Sequence, residues 1–218
     1  METSHTAVEA RLLDDAVRPG AVALDAGCGR RTRLAGRRPH LERLVGVDLD
    51  PGAGADNDAL DTFVAADCCG SLPFADGTFD LVYANFVIEH LERPVAAFLE
   101  WRRVLRPGGS LVVLTTNAAN PLVAAFRLLP RPARVALKSQ GAGARSDDVI
   151  PARYRANTPR SLVALLARCG FGCVELHCVA TLHRYLERRP RLAPLAVAFE
   201  RSLPTGRRST IVARFVAT

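Results

Sequence analysis

Short apolar runs that end in an acidic or polar residue recur through the first half of the chain. They lie at residues 21–25, 44–48, 62–66, 79–84 and 110–115. A strand that is buried on both faces, as in a parallel sheet, has such a nearly continuous apolar run. Because helical or turn-rich segments separate the runs, the pattern predicts a doubly wound α/β sheet of parallel strands.

Apolar residues at helical spacing predict the helices that flank this sheet. The spacing is found over residues 3–18 and 94–105. A third helix is predicted to begin after Thr158, which suits an N-cap, with Pro159 in its first turn. Gly170 suits the end of this helix, because glycine readily adopts the left-handed conformation that follows a last helical turn.

The remaining elements are expected to be shorter or to lie late in the chain. Residues 30–39 allow a short helix, and a helix within residues 51–61 would be short and weak. The segments 173–179 and 210–216 are strand-like. We expect these two segments to close the sheet.

The turn after the first apolar run carries the first candidate chemistry. Gly27 and Gly29 allow a sharp turn whose backbone amides we expect to approach a ligand closely. In an open α/β sheet, a nucleotide-like ligand binds at this position. A dinucleotide fingerprint would have its third glycine at position 32, which is Thr32. Asp25 would repel a pyrophosphate and attract a cation, so the pattern favours a positively charged ligand.

Three segments resemble one enzyme family. Leu24-Asp25-Ala26-Gly27-Cys28-Gly29 resembles the first motif of class I S-adenosylmethionine-dependent methyltransferases, and Gly46-Val47-Asp48 matches their second motif. The segment from Ser71 to Val82 is similar to the subfamily that includes ubiquinone, menaquinone and many natural-product methyltransferases. The chain departs from the first motif at Arg31, where the family usually has a third glycine.

The resemblance implies a Rossmann-like, seven-stranded, mostly parallel doubly wound α/β sheet with an antiparallel last strand. It implies a single methyltransferase domain over residues 1–218 and S-adenosyl-L-methionine as the cofactor. This cofactor carries an ammonium and a sulfonium group and no phosphate, in agreement with the charge argument for Asp25. Residues 118–157 are predicted to form an insertion after the fifth strand that covers the acceptor site as a lid.

Ten residues near the ends of the strands are expected to bind the cofactor. Asp48, 19 residues beyond Gly29, lies where an acid accepts hydrogen bonds from ribose hydroxyls. In the family, an acid at the position of Asp67 binds the adenine amino group; an N-cap role is the alternative. The expected set is Asp25, Ala26, Gly27, Cys28, Gly29, Asp48, Leu49, Asp67, Cys68 and Asn85.

A second group of residues is expected to bind the acceptor. Phe86 follows the fourth strand, Asn117 lies in the loop after the fifth, and Tyr154 precedes the predicted last helix. His90, within a Glu-His-Leu sequence that the subfamily often has, is the candidate catalytic residue, as a general base. The alternative is that His90 only orders its loop.

The expected reaction is direct displacement of a methyl group onto a small-molecule acceptor. A base is required only if that acceptor carries a proton. Residues 122–137 combine apolar residues with arginines, which is compatible with a hydrophobic acceptor and with peripheral membrane contact. A solvated helix with one apolar face is the structural alternative for this segment.

Charge is distributed unevenly along the chain. Residues 1–100 hold nine Arg and 17 acidic residues, whereas residues 101–218 hold 19 Arg, one Lys and five acidic residues. The basic half allows an anionic acceptor, a membrane surface or nucleic acid as partner; an Arg-rich composition is the alternative explanation. Two other functions are therefore considered: an RNA-directed methyltransferase, and a non-catalytic binding protein in which Arg31 closes the cofactor loop. An aromatic content of 6% leaves few stacking platforms, so nucleic acid is not the expected partner.

The six cysteines form no C-x-x-C pair, so we expect small buried thiols and no metal site. No apolar run reaches the roughly 20 residues of a membrane span. The first 17 residues lack the apolar core of a signal peptide. These observations predict a cytoplasmic protein.

Overall fold

The computed structural model describes residues 5–130, 151–182 and 193–218. Its centre is one seven-stranded sheet in the order β3-β2-β1-β4-β5-β7-β6. β7 is antiparallel to both neighbours, and the other pairs are parallel. The strands are β1 (Ala21–Ala26), β2 (Leu41–Asp48), β3 (Thr62–Ala65), β4 (Phe79–Asn85), β5 (Leu105–Thr116), β6 (Phe171–Val179) and β7 (Thr210–Ala217). The predicted fold class is therefore confirmed.

Five helices lie in the described residues. They are α1 (His5–Ala16), α2 (Pro94–Val104), α3 (Pro121–Leu128), α4 (Pro159–Arg168) and α5 (Ala193–Ser202). α2 and α4 bury apolar side chains such as Trp101 and Leu166 against one face of the sheet. α1 covers the other face with Leu12 and Leu13. The two cores make the sheet doubly covered, which is why its strands are apolar on both sides.

α4 begins as its sequence predicts. The Thr158 side chain accepts a hydrogen bond from the Ser161 amide at 3.1 Å, and the Ser161 hydroxyl accepts one from the Thr158 amide at 3.1 Å. This capping box satisfies two amides that would otherwise lack a partner. Gly170, at φ +83°, follows the last turn of the helix.

The segment between β1 and β2 differs from its prediction. A 3₁₀ turn from Arg33 to His40 replaces the expected short α-helix. Pro39 has no amide to donate, and the glycine at position 36 weakens a helix, so a tighter and shorter turn forms. Between β2 and β3, only a 3₁₀ turn from Gly54 to Asp56 is found.

The strand order reverses at β1, which lies between β2 and β4. The segment after β1 packs Leu34 into the core under α1, whereas α2, which follows β4, packs into the core on the other face. In open α/β sheets, ligands bind outside the carboxyl ends of the strands at such a reversal. The residues at these strand ends therefore form the candidate site.

The predicted insertion at residues 118–157 is partly described. α3 lies within it, and residues 131–150 lie outside the described residues. None of the described helices is long and apolar enough to span a bilayer. Five of the six cysteines are buried as expected, but Cys173 is exposed on β6, so the expectation is wrong for that thiol.

Candidate cofactor and acceptor site

The turn after β1 directs its amides into the protein. Gly27 and Cys28 both donate to the Val47 carbonyl oxygen, at 2.7 and 3.0 Å, and Gly29 donates to Oδ2 of Asp48 at 2.8 Å. These three amides therefore donate within the protein, and close approach of the turn to a ligand stays a prediction. A phosphate-binding turn keeps its amides directed at the anion, so this turn does not have the form of a pyrophosphate site.

Glycine is required at position 27 for two reasons. Gly27 has a φ of +79°, and a Cβ built there would overlap Cγ2 of Val87 in the loop after β4. Gly29 also has a positive φ, +54°, but a Cβ there would meet no atom within 4 Å. The first glycine therefore lets two loops touch, whereas the second serves only the backbone.

A buried polar network supports this turn. Asn57 donates from Nδ2 to the Gly29 carbonyl at 3.1 Å and accepts at Oδ1 from the Thr32 amide at 3.4 Å. The Thr32 hydroxyl donates to Oδ2 of Asp25 and accepts from the Leu34 amide at 3.0 Å. Sequence reasoning missed Asn57, because an Asn in a Gly- and Asp-rich loop carries no signature of its own.

Arg31 lies next to the turn with an exposed side chain. Phe86 and Tyr154 are the sole non-glycine residues of positive φ in the described ranges, so the backbone at position 31 does not require a glycine. The alternative in which Arg31 closes the cofactor loop stays a prediction, which the variant Arg31→Gly tests.

Asp25 lies at the end of β1 beneath the turn, and only 2% of its surface is exposed. Its Oδ2 accepts the Thr32 hydrogen bond, and its Oδ1 has no partner in the described structure. Burial raises the pKa of Asp25 to about 7; the Thr32 hydrogen bond opposes this shift, and the charge of Asp48 adds to it.

Asp48, Leu49 and Asp67 are grouped at the ends of β2 and β3. Oδ1 of Asp48 accepts from the Asp50 amide at 2.9 Å, and its Oδ2 accepts from Gly29. Since each carboxylate oxygen has two lone pairs, both can still accept a ligand hydroxyl. Leu49 is 60% exposed, and the exposed Asp67 accepts from the Cys69 amide at 2.8 Å.

Two of the expected cofactor residues carry thiols. Burial raises the pKa of both Cys28 and Cys68 to about 12, so both thiols are neutral near pH 7. Cys28 also packs against β2: a Cβ at Gly46 would lie 2.7 Å from its Sγ. Gly46, the glycine of the second motif, therefore leaves room for the Cys28 side chain.

Asn85 ends β4, and its Oδ1 is buried without a partner in the described residues. Asp25 pairs with Tyr83 across β1 and β4, and Asn85 lies two residues further along its strand. Alternate residues of a strand share a face. The unpaired oxygens of Asp25 and Asn85 therefore belong to the same face of the sheet, at the ends of adjacent strands.

Backbone strain coincides with two of the expected acceptor residues. Phe86 has a φ of +54° and Tyr154 a φ of +53°. Bulky residues rarely adopt this conformation, and such strain is concentrated at functional sites. The Phe86 amide donates to the Leu114 carbonyl at 2.9 Å, and the Tyr154 ring stacks under the Arg127 guanidinium, 4.9 Å from it.

Glu89 organises the acceptor side, and sequence reasoning did not identify it as a site residue. Its buried carboxylate accepts from the hydroxyls of Thr115 and Thr116, at 2.7 and 2.9 Å. Its backbone carbonyl accepts from the amides of Arg153 and Tyr154, at 2.6 and 3.1 Å. The Glu-His-Leu pattern contains the signal, but from sequence alone its histidine is the stronger candidate, because an imidazole ordinarily titrates near neutral pH.

His90 is next to this network and is partly exposed. Its Nδ1 lies 3.3 Å from the Pro151 carbonyl oxygen. A carbonyl can only accept, so Nδ1 carries the hydrogen in this contact and Nε2 is the basic nitrogen. The contact also holds the loop that leads to Tyr154.

Asn117 does not lie where an acceptor could reach it. Its side chain is fully buried and donates to the carbonyls of Gly206 and Arg208, at 2.9 and 2.7 Å. Its Oδ1 accepts from the Ala119 amide at 3.0 Å. The predicted substrate role is wrong, because the polar atoms of this side chain fasten the loop after β5 to the loop before β7.

Comparison with known proteins places the chain in a family. A family model described as "Methyltransferase domain" matches residues 24–113. Malonyl-[acyl-carrier protein] O-methyltransferase of Erwinia pyrifoliae is 30% identical over 180 residues, which are 77% of this chain and 68% of that protein. The chain belongs to the class I S-adenosylmethionine-dependent methyltransferases. S-adenosyl-L-methionine is the cofactor of this family.

Two further proteins are similar to this chain, one in part of its sequence and one in its fold. Malonyl-[acyl-carrier protein] O-methyltransferase of Hahella chejuensis is 39% identical over 99 residues, 42% of this chain and only 35% of that protein. The structure of geranyl diphosphate C-methyltransferase of Streptomyces coelicolor, solved with S-adenosyl-L-homocysteine, superposes on this chain with a TM-score of 0.65. At 18% identity over 98% of this chain and 77% of that one, this likeness shows the shared fold.

The residues at the strand ends suit the cofactor of this family. Two acceptor oxygens that have no partner among the described residues, on Asp25 and Asn85, match an ammonium group that only donates hydrogen bonds. The turn offers no free amide at residues 27–29 to a phosphate. No group of three or more potential metal ligands is found in the described residues.

Proposed function

We propose that this methyltransferase transfers a methyl group by direct displacement to a small, hydrophobic acceptor bound over the ends of β4 and β5. The observation that carries the proposal is the pair of unpaired oxygens, Asp25 Oδ1 and Asn85 Oδ1, at adjacent strand ends beside the glycine turn. The whole of residues 1–218 would act as one domain, with residues 118–157 as the acceptor lid.

On the cofactor side, the turn from Ala26 to Gly29 holds the methionine part against β1, and the two unpaired oxygens accept from its ammonium group. The Asp48 carboxylate accepts from the ribose hydroxyls, since the amides of Gly29 and Asp50 hold it in place and leave further lone pairs free. Leu49 packs its exposed side chain on the adenine ring. Asp67, supported by the Cys68 backbone, accepts from the adenine amino group.

On the acceptor side, Phe86 and Tyr154 form the walls next to the transferred methyl group. Their strained backbones are held by hydrogen bonds from the Phe86 amide to Leu114 and from the Tyr154 amide to Glu89. A site whose residues are fixed before the acceptor binds loses little freedom on binding. The aromatic walls favour an apolar acceptor, and the basic Arg127 over Tyr154 tolerates an anionic group at its edge.

S-adenosyl-L-methionine supplies an activated methyl group on a sulfonium. The leaving thioether is neutral, so the chain needs no acid to assist it. The protein aligns the acceptor with the methyl–sulfur axis and excludes water, and such alignment contributes up to roughly 7–11 kcal/mol. If the acceptor is a hydroxyl, the proposed base is His90, whose Nε2 is free to accept its proton while Nδ1 faces the Pro151 carbonyl.

Calorimetric titration of the whole chain tests the proposal. S-adenosylmethionine and S-adenosylhomocysteine should each bind with saturable heat at one site. Asp48→Ala should weaken both by about 10–100-fold, the value of hydrogen bonds to a charged group. The matched control is Asp14→Ala, which removes an exposed carboxylate that pairs only with Arg37 among the described ion pairs. Equal affinity in the two variants would refute the assignment of Asp48.

A further inference from the structure

Asp25 is an unusual group in the site, because its carboxylate is buried with only half of its oxygens satisfied. Oδ2 accepts from the Thr32 hydroxyl, whereas Oδ1 has no partner among the described residues. An ionised carboxylate in this position has lost its water and gained a single neutral donor. Its neutral, protonated form is therefore favoured while no cation lies against it.

The charged and titratable groups around Asp25 do not reverse this balance. These groups are Cys28 in the turn, Arg33 in the 3₁₀ turn, Asp48 on β2, Cys68 after β3, Tyr83 on β4 and Glu9 on α1. The one positive charge among these groups belongs to Arg33, whose Nη1 lies 3.9 Å from Oε2 of Glu9, so it is shared with another carboxylate. Burial raises the pKa values of both thiols and of the Tyr83 hydroxyl, so these three groups are uncharged near pH 7.

Thr32 is the single described hydrogen-bond donor to the Asp25 carboxylate. Its hydroxyl is fixed from the other side, because it accepts from the Leu34 amide at 3.0 Å, which leaves its hydrogen directed at Asp25. A donor held in this way stabilises the ionised carboxylate. The burial of Asp25 and its contact with Thr32 thus act in opposite directions on the same equilibrium.

We propose that binding of the positively charged cofactor expels the proton from Asp25 to solvent, and that Thr32 sets the pH at which this exchange occurs. The inference rests on the proposed cofactor site. The O–H bond of the Asp25 carboxyl breaks, the proton passes to the buffer, and the carboxylate is left against the cation. Cofactor affinity then rises with pH until Asp25 is already ionised in the free protein.

The first experiment is calorimetric titration of S-adenosylmethionine between pH 5.5 and 7.5. This range stays below the value of about 8 at which an α-amino group loses its own proton. Because burial raises the pKa of Asp25 to about 7, wild-type affinity should be roughly tenfold lower at pH 6 than at pH 7.5. The measured heat should also depend on the ionisation enthalpy of the buffer, since binding releases a proton.

Asp25→Asn is the control for the carboxylate. Asn cannot ionise but can still accept from Thr32, so the variant should bind more weakly at pH 7.5 and lose most of the pH dependence. A dependence that persists unchanged in this variant would assign the titration to another group, such as a histidine, and would overturn the inference.

Thr32→Val and Thr32→Ser form the second, matched pair. Valine has nearly the same shape but no hydroxyl, and serine retains the hydroxyl. The valine variant should move the midpoint of the affinity curve about one pH unit upward and weaken binding about threefold at pH 7.5; the serine variant should follow wild type. Equal midpoints in the two variants would overturn the role of Thr32. Saturable binding without pH dependence in wild type overturns the inference alone, whereas no binding at any pH overturns the proposed function as well.

Discussion

Asp25 and Glu89 are both buried carboxylates near the ends of adjacent strands, yet the protein satisfies them differently. Asp25 has one oxygen bonded to Thr32 and one without a partner in the described structure. Glu89 has both oxygens bonded, to the hydroxyls of Thr115 and Thr116. Glu200 on α5 resembles Glu89, because its two oxygens accept from the amides of Leu182 and Ser209.

Asp25 therefore has an oxygen with which it can bind a ligand, whereas Glu89 and Glu200 use both of their oxygens to hold loops. A buried carboxylate that is fully bonded rigidifies its surroundings, and Glu89 in this way fixes the loop that carries Tyr154. A half-bonded one costs stability until a donor arrives. On the cofactor side, Asp25 thus has an oxygen without a partner among the described residues. On the acceptor side, the Glu89 carboxylate has both oxygens bonded.

The largest effect should come from Gly27, where the glycine turn of the cofactor side packs against Val87 in the loop after β4. Gly27→Ala places a Cβ on Val87 and forces alanine to a φ of +79°. The left-handed backbone and the overlap together should lower the free energy of unfolding by about 2–5 kcal/mol and abolish measurable cofactor binding. Denaturant unfolding and calorimetric titration measure both quantities.

Gly36→Ala is the matched control for that substitution. Position 36 has no positive φ, and a Cβ there would meet no atom within 4 Å. This variant should match wild type in affinity. If Gly27→Ala behaved like it, the close packing of the glycine turn on the loop after β4 would be refuted.

Glu89→Ala should affect stability more than cofactor binding. The substitution leaves the Thr115 and Thr116 hydroxyls without their partner, which should lower the free energy of unfolding by about 2–4 kcal/mol. Cofactor affinity should stay within about threefold of wild type, because the partners of the Glu89 carboxylate, Thr115 and Thr116, are not cofactor residues. Hydrogen exchange at residues 151–157 should increase. A loss of affinity without a loss of stability would erase the contrast with Asp25.

In the ligand-free protein, Asp25→Asn should raise stability, by an amount that depends on pH. The pKa of Asp25 is raised from 3.8 to about 7 by burial, so the folded protein keeps a proton that the unfolded chain releases between these values. Wild-type stability should therefore fall as pH rises from about 4 to 7 and level off above 7. The Asn variant lacks this fall, so its Tm advantage should grow over the same window. A difference of 1 kcal/mol corresponds to about 2–4 °C in a domain of this size. An advantage that shrinks with rising pH would contradict the account.

Arg31→Gly should have the smallest effect. Arg31 is exposed and its backbone is not left-handed. The glycine should lower stability by about 0.5–1 kcal/mol through the freedom it adds to the unfolded chain, with little change in cofactor affinity. A marked gain in affinity would support the alternative that Arg31 obstructs the cofactor loop.

The strands and the main helices could be predicted because their sequence patterns are local. Buried parallel strands are apolar on both faces, and the Thr158-Pro159 start of α4 contains its own capping residues. The segment from Arg33 to His40 was harder, because weak helix formers leave the choice between an α-helix and a 3₁₀ turn to tertiary contacts.

The candidate site could be predicted only as far as motifs reach. The acids at the strand ends were identified by their spacing, but the partners of each side chain depend on residues distant in sequence. Asn57 supports Gly29 from 28 residues away, and Asn117 bonds to the carbonyl of Gly206 across 89 residues. Such contacts decide whether a polar side chain binds a ligand or a loop, and a single sequence does not contain them.

A crystal structure of the chain with S-adenosylhomocysteine tests the central claim most directly. The Asp48 carboxylate should lie within hydrogen-bond distance of the ribose hydroxyls. The ligand's amino group should lie against Asp25 Oδ1 and Asn85 Oδ1. A ligand bound elsewhere, or bound at the candidate site while both of those oxygens stay without a partner, would contradict the claim.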